Sequence, residues 1–489
     1  MNLVAGTLAA PASPDGEIED RSPADLGDVL GRFPWALADV DRAVEAARVA
    51  QPRWAAKPLP ERASALLRFR DVIASRKEAI ARIIARDVGK PLWEARTEVD
   101  AVVAKFAATL DEGMKLVAPF DAPGQAGAEC RFKPHGVLAV LGPFNFPMHL
   151  ANGHVVPALA CGNTVVLKPS EIAPAVALEY ARAAVDAGLP PGVLNVVQGP
   201  GAVGARLAGH AGVDGVLLTG SWAVGQEVKR ATFDSAKVLA LELGGKNAAL
   251  VAADADLDKA AHDVAFAAFV TAGQRCTATS RVLVEGAVAE EFTQRLVARA
   301  RRIVVGHPFD EPAPFSGPLA SAAALAKFSA GLDVARKTEG VSELVASRFV
   351  TAGARRGYYV TPSVHVAQRR PSETPYLGEE LFGPDVAVTV VSDLDEAIAL
   401  ANDVPYGLAA SVFTRSEATF ERCYAGLEAG CINWNAPTVG SSSRLPFGGV
   451  KRSGNHRPAA LWSALYCASP VAVMRGAPTM DGVTLVPGM

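Results

Sequence analysis

A cysteine, a carboxylate and an amide stand at separated points of the chain in settings that suit covalent catalysis. Cys276 lies in Gly273-Gln274-Arg275-Cys276-Thr277, Glu242 in Leu241-Glu242-Leu243-Gly244-Gly245-Lys246, and Asn145 between prolines in Gly142-Pro143-Phe144-Asn145-Phe146-Pro147. A free thiol has a pKa of about 8.5 and is mostly protonated at neutral pH, so a nucleophilic cysteine needs positive or dipolar surroundings. Arg275 on one side of Cys276 and a helix start at Thr277 on the other are the expected source. Taken alone, Cys276 reads as a small buried hydrophobe. Glu242 closes an apolar run and precedes two glycines, so its carboxylate is expected at the carboxyl edge of a sheet, where an isolated acid would be a solvated strand end. A thiolate with a water-activating base is the pair that forms and then hydrolyses a thioester. Asn145 offers a neutral donor for the oxyanion of thiolate attack, and by itself it reads equally well as a turn residue.

Two turns compete to hold a dinucleotide. Gly199-Pro200-Gly201-Ala202-Val203-Gly204 matches G-x-G-x-x-G after a strand, but the next strand ends at Thr219 without the acid that would take a ribose hydroxyl. Thr219-Gly220-Ser221-Trp222-Ala223-Val224-Gly225 closes a strand and opens a helix, which puts backbone N–H groups and a positive dipole end at a pyrophosphate. The second turn, with Gly220, Ser221 and Gly225, is the expected one. Lys168 and Glu171 follow the run Thr164 to Leu167 and are placed to hold the adenosine ribose, with Ser170 between them a further candidate for cofactor binding. A carboxylate there repels a 2′-phosphate, which favours NAD over NADP.

The elements that must position these residues read as follows. Residues 40–115 carry helical periodicity, with Leu66, Phe69 and Ile73 on one face and a stop at Gly89-Lys90-Pro91, and are expected to be scaffold. From Val137, short β-branched runs alternate with amphipathic stretches: Val137 to Leu141, Thr164 to Leu167, Val193 to Val197, Val216 to Thr219 and Val238 to Leu241. This is the pattern of parallel βαβ units, with ligands at the carboxyl ends of the strands. A second alternating region supplies Ala248 to Val251, Arg281 to Val284, Val386 to Val391 and Ala409 to Phe413. Residues 118–134 are a Pro/Gly-rich excursion, and an irregular tail is expected from Asn455. The predicted fold is α/β, divided into a dinucleotide-binding domain (1–117 and 135–245), a catalytic domain (246–454) and two oligomerisation segments (118–134 and 455–489).

At 489 residues the chain exceeds one ordinary hydrophobic core. A net charge of -3 leaves no basic surplus for nucleic acid or anionic lipid. The six cysteines are scattered, with neither disulfide-framework nor zinc-ribbon spacing, so reduced thiols, no metal and a cytoplasmic location are expected. Residues 1–20 hold no Lys or Arg to open a signal peptide. The weakly charged stretch between Lys133 and Lys168 is broken too often by Pro and Asn to cross a bilayer, and suits a buried site between domains.

Seven segments in this order resemble the aldehyde dehydrogenase superfamily: Gly-Pro-Phe-Asn-Phe-Pro at 142–147, Lys-Pro-Ser-Glu at 168–171, Thr-Gly-Ser at 219–221, Glu-Leu-Gly-Gly-Lys at 242–246, Gly-Gln-Arg-Cys at 273–276, Glu-Leu-Phe-Gly-Pro at 380–384 and Pro-Phe-Gly-Gly at 446–449. The resemblance covers about residues 15 to 475. It implies a Rossmann-like NAD-binding domain, an α/β catalytic domain and a small oligomerisation extension. It further implies Cys276 as nucleophile, Glu242 as base for deacylation, Asn145 with the Cys276 backbone N–H as oxyanion hole, and Glu380 and Phe382 at the nicotinamide ribose. Glu242 separates the chain from the acylating, coenzyme A-dependent relatives, so water is the expected acceptor. An inactive binding or structural relative would have lost one of these groups, and none is lost.

Within the superfamily, Asn152-Gly153-His154, Asn433-Trp434-Asn435 and Ser453-Gly454-Asn455-His456-Arg457-Pro458 resemble the succinylglutamate semialdehyde dehydrogenases of arginine catabolism. Many superfamily members carry lysine at the position of His154 and glutamate at that of Pro458, so proton relays assigned to those residues do not transfer. Lys246, where the subgroup has asparagine, and the basic run Lys451-Arg452 depart from it and leave succinic or glutamic semialdehyde as alternative substrates. A dicarboxylate substrate needs cationic anchors, for which Arg444 and Arg275 are the candidates. Superfamily members pair through a hairpin and a C-terminal tail, so a homodimer or homotetramer is implied.

Overall fold

The computed structural model describes residues 1–476, 479 and 486–488. The β-branched runs of the first region form the strands Val137–Leu141, Thr164–Lys168, Leu194–Val196, Gly215–Thr219 and Val238–Glu242. The first two are buried along their whole length, which is why they read as continuous apolar runs rather than as alternation. All five are parallel, in the order Val238–Glu242, Gly215–Thr219, Val137–Leu141, Thr164–Lys168, Leu194–Val196. The chain runs outward from Val137–Leu141 and then returns to its other side. The order therefore reverses between Val137–Leu141 and Gly215–Thr219, and a crevice opens at their carboxyl ends. Asn2–Val4 and Thr7–Ala9 extend this sheet in antiparallel fashion beyond Leu194–Val196, an addition that three-residue strands give no periodicity to reveal.

The expected helices are Ala38–Ala55, Leu59–Ser75, Lys77–Val88 and Leu92–Ala107. Leu66, Phe69 and Ile73 are fully buried on one face, and Lys77–Val88 stops at Gly89, whose φ of 78° is the left-handed cap that glycine adopts without strain. Between Lys133 and Lys168 the chain makes two strands flanking the helix His149–Ala160, and among the described residues no helix is long and apolar enough to cross a membrane.

The second sheet has the order Val341–Val345, Ser363–Ala367, Asp385–Val391, Thr279–Glu285, Asn247–Val251, Ala409–Phe413, Cys431–Trp434, parallel except at its first pair. Three of these strands were not anticipated. Val341–Val345 and Cys431–Trp434 are short edges, and Ser363–Ala367 carries the buried His365 in mid-strand, which breaks the apolar pattern. The irregular tail expected from Asn455 is corrected over part of its length. Ala468–Met474 pairs along seven positions with Ala128–Pro134, and Phe120–Asp121 completes a three-stranded sheet. The end of the expected 455–489 segment, at 477–478, 480–485 and 489, lies outside the described residues.

Candidate active site

The loop that presents Cys276 is held in a conformation the backbone would not choose alone. Thr271, Ala272 and Gly273 all have positive φ (58°, 51° and 68°), a region that costs a non-glycine residue of order 1–3 kcal/mol. At Gly273 a β-carbon would lie 2.2 Å from the Gly383 carbonyl oxygen, so only glycine fits. The strain is offset by a ring of bonds: Thr271 Oγ1 donates to Glu94, the Ala272 N–H to Ser316 Oγ (3.1 Å), and the Ala320 N–H to Gln274 Oε1 (3.0 Å). Asn247 Nδ2 donates to the Cys276 carbonyl (2.7 Å) and fixes the loop on the second sheet.

Asn145 approaches from the first sheet. Its Nδ2 donates to the Gln274 carbonyl at 2.9 Å, which leaves its second amide hydrogen unpaired among the described residues, and Asn145 lines the same two cavities as Cys276. The segment 144–149 rests on a buried ion pair, Lys90–Glu98 at 2.6 Å. Glu98 Oε1 accepts the N–H groups of Met148 (3.1 Å) and His149 (3.2 Å), and the Lys90 ammonium lies 3.5 Å from the Phe146 ring centroid. Glu242, the last residue of its strand, is buried, and its Oε2 has no partner among the described residues. Burial raises its pKa well above the carboxylate range, against a single backbone N–H, that of Ala459.

Two cavities meet at Cys276. The larger, about 500 Å³, opens at the sheet's reversal point, and Lys168, Ser170, Glu171, Gly220, Ser221 and Glu380 are among the residues on its wall, with Phe382 beside them. The smaller, about 270 Å³, is bordered by the helices Leu92–Ala107 and His149–Ala160 and the loop 440–443, and Glu242 is on its wall. Asn145, Leu150, Thr219 and Cys276 line both. Ser221 caps the helix Trp222–Thr232 by accepting the Val224 N–H (3.3 Å), and Gly220, Ser221 and Val224 at the start of that helix line the larger cavity. Lys168 and Glu171 pair at 2.8 Å on its wall. Burial works to raise Glu171, and the Lys168 ammonium outweighs it and leaves the carboxyl below its ordinary range. Glu380 accepts the Gly245 N–H at 2.9 Å and is pushed up to about 7, chiefly by burial. Phe382, at a φ of 60°, packs edge-on against Phe144.

The family model described as "Aldehyde dehydrogenase family" matches residues 10–469. The chain belongs to the aldehyde dehydrogenase family. It is 45% identical over 469 residues to N-succinylglutamate 5-semialdehyde dehydrogenase of Chromobacterium violaceum, covering 94% of this chain and 93% of that one. It is likewise 45% identical over 438 residues to N-succinylglutamate 5-semialdehyde dehydrogenase 1 of Caulobacter vibrioides, with coverages of 88% and 91%. Among solved structures, a mutant of aldehyde dehydrogenase C from Pseudomonas syringae, complexed with NAD+ and octanal, superposes with a TM-score of 0.91 at 32% identity, covering 98% of this chain and 97% of that one.

Within this aldehyde dehydrogenase chain several expectations change. No helix begins at Thr277; the residue leads into the strand Thr279–Glu285. Arg275 does not offer its charge to the thiol: its guanidinium bonds Glu94 (2.9 Å) and Thr271 Oγ1 (2.6 Å) and stacks over Phe146. Burial, then the carboxylates of Glu380 and Glu242, accordingly push the Cys276 thiol up to about 12. Arg275 does line the smaller cavity, with its charge already paired to Glu94. Arg444 is exposed, is held by Glu112 at 3.2 Å, and does not line the smaller cavity although Ser443 does. Gly225 lies off the cavity wall. A β-carbon there would come within 2.8 Å of Leu243, so this glycine lets the capped helix pack closely instead of touching a ligand. Lys246 and Lys451 are spent on backbone carbonyls, of Tyr376 and of Asn402 and Val404, and neither reaches the cavities at Cys276. His154 bonds Tyr466 and Thr219 through both ring nitrogens, and burial with Lys105 pushes it down to about 3, so it stays neutral.

Sequence reading missed the contribution of Leu92–Ala107. Glu94, Glu98 and Lys105 support or line the site, and Thr97 and Ala101 border the smaller cavity. Positions 94, 98, 101 and 105 fall on one helix face, and charged residues at three of them within an apolar stripe were the available signal.

Proposed function

We propose that the protein oxidises N-succinylglutamate 5-semialdehyde to its acid in arginine catabolism, with NAD as acceptor. The observation that carries this reading is the position of Cys276 on the wall shared by both cavities, with Asn145 beside it and Glu242 on the smaller side. The names of the relatives at 45% identity support the substrate.

The larger cavity fits a dinucleotide. Gly220 and the Ser221-capped turn would meet the pyrophosphate, Lys168, Ser170 and Glu171 the adenosine ribose, and Glu380 and Phe382 the far end. Bound there, NAD supplies the hydride acceptor. Glu171 on that wall disfavours a 2′-phosphate. From the smaller cavity the aldehyde carbon meets the Cys276 sulfur. The oxyanion of the resulting thiohemiacetal is faced by the free amide hydrogen of Asn145 and the Cys276 N–H, and one such donor is worth about 3 kcal/mol. Glu242, unpartnered at Oε2, takes a proton from the water that cleaves the thioester and releases the acid.

The test is cofactor reduction with N-succinylglutamate 5-semialdehyde beside succinic and glutamic semialdehydes, with Cys276→Ala as control. Strong preference for the succinylated aldehyde, abolished in the variant, is expected. Preference for either smaller semialdehyde would refute the substrate, and turnover surviving in Cys276→Ala would refute the mechanism.

A further inference from the structure

The buried lysines of this chain differ in one respect. Lys90 is paired with Glu98, Lys168 with Glu171, and Lys246 donates to the Tyr376 carbonyl. The side chain of Lys105, a residue only 2% exposed, makes neither a hydrogen bond nor an ion pair with any described residue. A buried ammonium without a counter-charge is expensive, and folds retain one where something else completes it. Lys105 lies on the wall of the smaller cavity, on the face of Leu92–Ala107 that also presents Thr97 and Ala101. The groups that feel its charge are His149 and His154 on the neighbouring helix and Cys467, all neutral or raised thiols, with no carboxylate among them. Burial lowers the Lys105 ammonium to about 8.

Other groups on the same wall suit an anion. His149 Nδ1 is buried without a partner among the described residues, and the loop Gly440-Ser441-Ser442-Ser443 brings hydroxyls to the cavity. Glu98 is engaged by Lys90 and two backbone N–H groups, which leaves its charge committed elsewhere. Phe146, Leu150 and Phe447 line the same cavity as Cys276 and give it apolar wall that suits the methylenes of an aldehyde chain.

We infer that Lys105 binds a substrate carboxylate remote from the aldehyde, assisted by His149 and the serines of 441–443, and so selects acidic aldehydes. This rests on the assignment of a carboxylate-bearing semialdehyde as substrate, and it gives to Lys105 the anchoring role that Arg444, off the cavity wall, and Arg275, paired with Glu94, leave open. Lys105 does not touch the reacting carbon; it sets specificity.

The experiment compares kcat/KM for N-succinylglutamate 5-semialdehyde with that for hexanal in the wild-type enzyme and in Lys105→Met. Hexanal is the internal reference for any general damage. The acidic-to-neutral ratio is expected to fall about 100-fold in the variant, mainly through KM, and the acid product N-succinylglutamate to lose its binding heat in calorimetry. A high wild-type ratio that survives in Lys105→Met overturns the role of Lys105 and leaves the substrate assignment standing. A wild-type ratio near one overturns both. Lys105→Gln repeats the comparison should the methionine variant not fold.

Discussion

Replacing Glu98 by glutamine changes a single group beneath the Asn145 segment and should be felt in both stability and rate. In the wild type the Lys90–Glu98 pair is 2.6 Å long, with side-chain exposures of 2% and 0%. The glutamine carbonyl can still accept the Met148 and His149 N–H groups that Glu98 Oε1 accepts now. The Lys90 ammonium, already lowered by burial and held up chiefly by Glu98 and then Glu94, loses its nearest carboxylate. Removing one partner of a buried pair costs about 3–5 kcal/mol, and the remaining Glu94 places this case near the lower end, about 3 kcal/mol. Lys90→Met should cost a similar amount. The double variant Lys90→Met/Glu98→Gln leaves no unpaired charge and should lose less than the sum of the two, with a coupling of about 2 kcal/mol or more. Because Lys90 sits on the Phe146 ring next to Asn145, kcat for Glu98→Gln should drop about 10- to 100-fold, with partial recovery in the double variant. Urea unfolding followed by tryptophan fluorescence, with steady-state kinetics on the same four proteins, gives both numbers. Additivity within about 0.5 kcal/mol would refute the claim that this pair acts as a unit under the site.

Other expectations follow from the same geometry. In the free enzyme, alkylation of Cys276 by iodoacetamide, read on its own peptide by mass spectrometry, should rise about tenfold per pH unit from pH 7 to 9.5, because a thiol pushed up to about 12 is almost wholly protonated there; a plateau below pH 8 would contradict this. With Glu242 as the proposed base, active only when ionised, and with burial raising its pKa, thioester hydrolysis should fail on acidification at a pH well above the ordinary carboxylate value of about 4.3, and single-turnover deacylation measured against pH checks it. Glu171→Gln should raise the efficiency with NADP relative to NAD on the order of tenfold, as expected for removing a charge that faces a 2′-phosphate, and an unchanged ratio would place the ribose elsewhere.

The parallel strands and the candidate role of Cys276 were legible because their signals are local. A buried parallel strand such as Val137–Leu141 is an apolar run, and a cysteine after Gly-Gln-Arg stands out in any context. The helix wrongly expected at Thr277 shows the opposite case. The run from Thr279 to Glu285 is rich in β-branched residues, and that strand signal outweighs the weak helix-start reading of a single threonine. What stayed hidden depends on partners far apart in the chain. Nothing near Arg275 announces that Glu94, 181 positions away, will neutralise it, or that Glu98 will hold the start of the helix at His149 from 51 positions away. Lys105 stayed hidden too, because its meaning lies in a side chain with no partner among the described residues, a property that only packing can reveal.

The proposed division of labour, with Cys276 carrying the acyl group and Glu242 releasing it, can be read by mixing the Glu242→Gln variant with NAD and N-succinylglutamate 5-semialdehyde, quenching in acid, and mapping the adduct by mass spectrometry. A succinylglutamyl thioester on Cys276, formed with a stoichiometric burst of NADH and persisting without turnover, is the predicted result. An unmodified Cys276, or an adduct on Cys431 in its place, would contradict the account.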